Sequence, residues 1–97
     1  MHDDLRKAIE SLHACKATWR ETVPVTEKHG DAIVWDGEVE VFDITGNPNS
    51  NVAYAWAYAA GDPPKKRISA VLGGGKIDSA VMAVRVAIVA QVERGKR

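Results

Sequence analysis

Gly73-Gly74-Gly75-Lys76 is the first stretch whose residue types and spacing could do chemistry. Glycines ahead of a helix can expose backbone N–H groups, and a helix N-terminus favours anions. A P-loop needs a glycine five positions before its Gly-Lys pair and Ser or Thr after the lysine. Here those positions hold Ala70 and Ile77, so the run reads as a flexible strand-to-helix connector. Lys65, Lys66, Arg67, Lys76 and Arg85 are the cations that could contact nucleic acid. Lys66 and Arg67 would point to opposite faces of a strand, so a solvated strand start is the plainer reading. Tyr54, Trp56 and Tyr58 recur at every second position. Such a ladder is core, an interface between copies, or a platform on which bases stack.

Other chemistry finds less support. His2, His13 and His29 have no metal-ligand spacing. Ser11, Ser50, Ser69 and Ser79 stand outside any nucleophile motif. Glu38 and Glu40 share a strand face, which reads as a solvated face ahead of an acid–base pair. Neither a cofactor nor a metal is implied. Cys15, the sole cysteine, cannot form an internal disulfide. It reads as a small buried residue of a first helix in a reducing, cytoplasmic compartment.

The elements that must position these residues follow from pattern. At 97 residues, with 45% hydrophobic and 27% charged positions, the chain has the composition of one globular domain rather than a disordered segment. Residues 94–97 read as a frayed basic tail. Leu5, Ala8, Ile9 and Leu12 keep helical spacing over Asp3–Lys16, with Asp3 and Asp4 suited to the helix start. Trp19–Lys28 alternates as a strand, with Trp19, Glu21, Val23 and Val25 on one face. Pro24 places it at a sheet edge. His29-Gly30-Asp31 is a turn, Ala32–Trp35 a short strand, and Asp36-Gly37 a two-residue hairpin into Glu38–Thr45.

Gly46–Asn51 is a loop. Val52–Ala60 puts Val52, Tyr54, Trp56 and Tyr58 on one face and four alanines on the other. Alanine is a poor strand former, so the bare face suits close approach of a helix. We expect the last helix there, with the aromatic ladder facing away from it. After a turn at Gly61–Pro64, Lys65–Leu72 is the final strand. The last helix starts near Asp78 or Ser79 and runs to Glu93. Being apolar nearly all round, it is expected to be largely buried. The Ala80–Val92 stretch is too short and too interrupted, by Arg85 and Gln91, to cross a bilayer.

Together these elements predict a two-layer α+β domain. Its antiparallel sheet has four or five strands, with a helix at each end of the chain.

Trp35–Pro48, Ala53–Trp56 and Ala83–Ala90 together resemble a group of small uncharacterised bacterial proteins, a likeness that brings no activity or site residue. The helix–strands–helix order and the glycine turn before Lys76 also resemble the double-stranded-RNA-binding domain, which implies topology only.

Charge adds a last observation. Met1–Pro48 carries five basic and ten acidic residues; Asn49–Arg97 carries eight basic and three acidic. Halves of opposite sign suit self-association. The reading is therefore a non-enzymatic interaction module that dimerises through its sheet by way of Tyr54, Trp56 and Tyr58. Nucleic-acid binding is the alternative, and no membrane partner is expected.

Overall fold

The computed structural model describes residues 2–75 and 77–95, with side chains to residue 90. Helix α1 (Asp3–His13) leads into β1 (Lys16–His29), β2 (Ala32–Thr45), β3 (Val52–Ala60) and β4 (Lys65–Leu72), and α2 (Ala80–Gly95) ends the described chain. The strands form one antiparallel meander in the order β1-β2-β3-β4. This is the α+β order expected, with Pro24 on an edge strand. No described helix is long and apolar enough to cross a membrane.

Helix α1 stops where Ala14 turns left-handed, at φ 49°, three residues short of the expected end. Cys15 therefore lies in the connection to β1, half-buried, with its sulfur 3.9 Å from the Ile9 carbonyl oxygen. Ser79 caps α2 as expected: its hydroxyl oxygen accepts the Met82 N–H at 3.3 Å. The helix runs on to Gly95, over part of the expected frayed tail; residues 96 and 97 lie outside the described residues.

Asp36-Gly37 is not a turn. Both residues sit inside β2, opposite Thr26 and Val25. The reversal occurs at Gly30-Asp31, where Gly30 has φ 63° and occupies the first central position, as a type II′ hairpin requires. Ala32–Trp35 therefore belongs to the main sheet. The Trp35 indole covers Gly37, where an added Cβ would lie 3.1 Å from the ring. A strand glycine without a side chain is thus shielded by its neighbour, and the Asp-Gly signal is overridden.

The helices take opposite faces of the sheet rather than sharing one, and their assignment to β3 is the reverse of that expected. Leu5 and Ile9 of α1 pack with Phe42, Ile44, Ala53 and Ala55, on the alanine face. Ala80, Ala83 and Val84 of α2 pack with Val39, Val41, Tyr54 and Trp56, on the aromatic face. The physical reason lies in α2 itself. Its own alanines are the short partners, and the aromatics fill the space they leave. Phe42, Ile9, Val39 and Val84 are the largest fully buried side chains, each contributing about 1.5–3 kcal/mol by leaving water.

A bulge at Arg20 changes the phase of β1, because Trp19 pairs with Phe42 and Glu21 with Val41. Trp19 thereby faces the α1 side, while Glu21, Val23 and Val25 face α2. The expected single face for all four is split in two.

Candidate functional site

Beyond Glu40 the sheet parts. β2 pairs with β3 only over Glu40–Asp43 and Val52–Ala55. Past that point β2 is bonded to β1 alone, and β3 to β4 alone. Helix α2 crosses the parting on one side. Trp35 on β2 and Trp56 on β3 meet beneath it edge to face, with centroids 5.7 Å apart and planes at 74°. A cavity of about 140 Å³ remains there, lined by Trp35, Trp56, Tyr58, Val84, Ala87 and Ile88.

A larger cleft of about 600 Å³ opens beside it, between α2 and the tip of the β1–β2 hairpin. Val34, Ile88 and Val89 form its apolar floor; Glu27, Lys28, His29 and Arg85 stand around it. Arg85 Nε donates to Glu27 Oε1 at 2.5 Å, tying α2 to the edge strand. Val89 is 55% exposed, Val86 41%, Val34 49% and Ile33 58%. The expectation that α2 is largely buried therefore holds for only one side of it. The helix is apolar nearly all round, but the small sheet buries only the face bearing Ala80, Ala83 and Val84.

The aromatic ladder resolves into core. Tyr54 and Trp56 are 5% and 4% exposed under α2, so neither offers a surface to a second copy. Tyr58 is half-buried and lines the small cavity. With α2 packed on the aromatic face, the expected route to a dimer through the ladder is covered at Tyr54 and Trp56.

The cations do not converge. Lys66 pairs in register with Ala59 and Arg67 with Tyr58, which sends them to opposite faces. Lys66 is bonded to Asp4 on α1, and Arg85 to Glu27. Lys65 lies opposite Ala60, and Lys76 lies outside the described residues. The four strands are also one more than the three of the double-stranded-RNA-binding order.

Two amides of the glycine run are already taken by the backbone. The Gly73 N–H donates to Val52 O (2.9 Å), the Gly74 N–H to Ile77 O (2.8 Å) and the Ile77 N–H to Gly74 O (3.0 Å). A pocket of about 360 Å³ does lie between this run and the Asn47–Asn51 loop. Ser50 Oγ spans the two, 2.5 Å from the Gly73 carbonyl oxygen.

Sequence reasoning missed one cluster. Glu40, expected on a solvated face, is buried, and its Oε1 accepts from Trp19 Nε1 at 3.0 Å and Thr22 Oγ1 at 2.5 Å. His2 Nε2 lies 3.3 Å from the same oxygen, and the His2 ring lies 5.6 Å from that of Trp19. Glu38, two residues earlier, is exposed. The bulge at Arg20 brings Trp19 over this carboxylate, and an alternation pattern carries no signal for a bulge. Cys15 has the setting of an inert thiol. Burial pushes its pKa up, and the charge of Glu10 adds to the effect.

No family model, curated protein or solved structure matches this chain. Its function is therefore read from the surface just described.

Proposed function

We propose that the protein is a non-enzymatic interaction module that self-associates, using the outer face of α2 and the tip of the β1–β2 hairpin. The observation that carries this reading is the exposure of Val89 on α2 and Val34 on the hairpin, which line one cleft, with Val86 and Ile33 also exposed on the same two elements. Contiguous exposed apolar side chains with a polar rim mark interaction surfaces.

The occupant is a second copy, because the rim does not oppose one. An isologous contact places each patch against itself, and a rim of one sign would repel its own image. Here the rim cation Arg85 pairs with the rim anion Glu27, which leaves Lys28 as a single further cation rather than a belt of like charge.

Light scattering after size exclusion, across a concentration series, tests the reading. The wild-type chain is expected to run as a dimer. Val89→Asp is expected to raise the dissociation constant by about 30-fold or more, the equivalent of losing one interface hot spot of about 2 kcal/mol. Circular dichroism should stay unchanged, since Val89 is exposed. A wild-type monomer at the highest concentration reached, or a dimer indifferent to Val89→Asp, overturns it.

A further inference from the structure

The parting of β2 from β3 leaves two backbone edges facing each other, and their phase is fixed by two hydrogen bonds. The Ile44 N–H donates to Asn51 O, so the peptide groups of Ile44, Phe42 and Glu40 point toward β3. The same alternation carries on to Glu38 and Asp36. On β3, Val52 O accepts from Gly73 on the β4 side. Even-numbered residues of β3 therefore bond β4, and odd-numbered ones point toward β2. Ala57 and Ala59 are odd-numbered and lie beyond the last β2–β3 pair. The peptide groups of Asp36, Glu38, Ala57 and Ala59 thus project into the gap, with no strand partner among the described residues.

The residues that carry these groups are exposed. All four side chains lie on the face that α1 covers only farther down, at Ala53 and Ala55. The alanines leave the edge of β3 bare. An unpaired edge is a template for another strand, and this one has two further features. On one side lies the 140 Å³ cavity walled by Trp35, Trp56 and Tyr58, and a cavity of about 150 Å³ can hold a benzene-sized apolar group. On the other side stand the carboxylates of Asp36 and Glu38. Glu38 has no ion-pair partner among the described residues.

We propose that this gap is a strand-capture site for an extended basic peptide segment of a partner protein. The segment hydrogen-bonds the free edge of β3 at Ala57 and Ala59. Alternate side chains of an added strand point to opposite faces. One set, apolar, reaches the Trp35–Trp56 cavity. The other set, Lys or Arg, lies beside Asp36 and Glu38. Main-chain bonds supply affinity and the cavity supplies selectivity, as in other β-augmentation. The site is separate from the outer face of α2, so it does not depend on the dimer.

The test titrates the full chain with a capped heptapeptide of alternating Lys and Val, followed by amide-resolved NMR and hydrogen exchange. Exchange at Ala57 and Ala59 is expected to slow at least about tenfold, with shifts at the Trp35 and Trp56 indoles. Two N-methylated versions, one on the Lys amides and one on the Val amides, are compared, and one of them must lose binding. Glu38→Lys should weaken binding, and a Glu/Val peptide should not bind. Ala57→Pro removes a donor that β4 does not use; if it fails to fold, the methylated peptides still decide. Val89→Asp should leave the peptide response intact. No response at a peptide concentration of about 1 mM, binding that survives both methylations, or shifts confined to Val86 and Val89 would each overturn the proposal.

Discussion

Glu40 accepts the indole N–H of Trp19 at 3.0 Å, from a strand position whose immediate neighbours are all apolar or paired. The same oxygen takes the Thr22 hydroxyl and lies close to His2. A buried carboxylate is tolerated when donors surround it. This one joins the start of α1 to the first two strands.

Glu40→Ala should therefore cost about 1–3 kcal/mol, the usual penalty when hydrogen-bonded groups lose a partner inside a protein. Glu40→Gln keeps one acceptor oxygen and should cost less. Urea denaturation with an unchanged slope measures both. Trp19 fluorescence should report the change locally, because its indole N–H would turn to water.

Two exposed ion pairs set an acid limit. The Lys66 ammonium, and after it the Leu5 N–H, hold the Asp4 carboxyl below the usual carboxylate range. Arg20 does the same for Asp43. A folded-state pKa below the unfolded value gives stability that is present above about pH 4 and lost as pH falls through the folded value. Urea midpoints should fall as the solution is acidified below about pH 4. Asp4→Asn and Asp43→Asn together should flatten that fall. Equal slopes in the double variant and the wild type would remove these pairs from the account.

Tyr54 sets an alkaline limit of opposite sign. Burial pushes its phenol pKa up, the charges of Asp78 and Glu21 push the same way, and Arg20 opposes them. A raised folded-state value gives stability that is complete below the unfolded value of about 10 and lost as pH rises through the folded one. Tyr54→Phe should reduce the alkaline decline in the urea midpoint, leaving the part that the raised Cys15 thiol contributes. Phenolate absorbance, compared between the wild type and Tyr54→Phe, should show Tyr54 ionising late.

Gly73 is required by packing and not by backbone freedom. A Cβ at this position would lie 2.3 Å from Val52 Cγ1 and 3.2 Å from the Tyr54 ring. Gly73→Ala should therefore overpack the turn into α2 and cost about 1–3 kcal/mol, read from thermal unfolding. Read as sequence, the glycine run signalled only a flexible connector. That β4 leaves the sheet hard against Val52 is a tertiary fact.

The same division between local and tertiary information runs through the chain. Elements with a strong local signature were legible: the alternation of Val52–Ala60, the Ser79 cap, Pro24 on an edge. Asp36-Gly37 misled because its turn signal is local, while the ladder to Thr26 and Val25 and the cover from Trp35 are not. The phase of Trp19 was lost at the Arg20 bulge, and with it the surroundings of Glu40. The choice of face for each helix depends on matching small against large residues across layers. Alanines on both β3 and α2 allowed either answer, and the aromatics of β3 take the helix whose own buried residues are short. The parting of β2 from β3 has no sequence signature at all, since alternation continues through it on both strands.

Trp56 is where this revised layering is tested most directly. Were the aromatic ladder an interface, Trp56→Ala would weaken self-association and leave the fold intact. Trp56 is instead 4% exposed beneath α2, edge-on to Trp35. Its truncation should empty the space between the parted strands and cost about 3–5 kcal/mol. That is a large share of the roughly 5–15 kcal/mol that holds a domain of this kind together. The loss should appear as a lower unfolding midpoint at every protein concentration, whereas loss of an interface would vanish on dilution. Val89→Asp should show the converse, changing mass in solution at constant unfolding midpoint once both proteins are monomeric. A Trp56→Ala protein with wild-type stability would place the ladder outside the core and return the interface to the sheet.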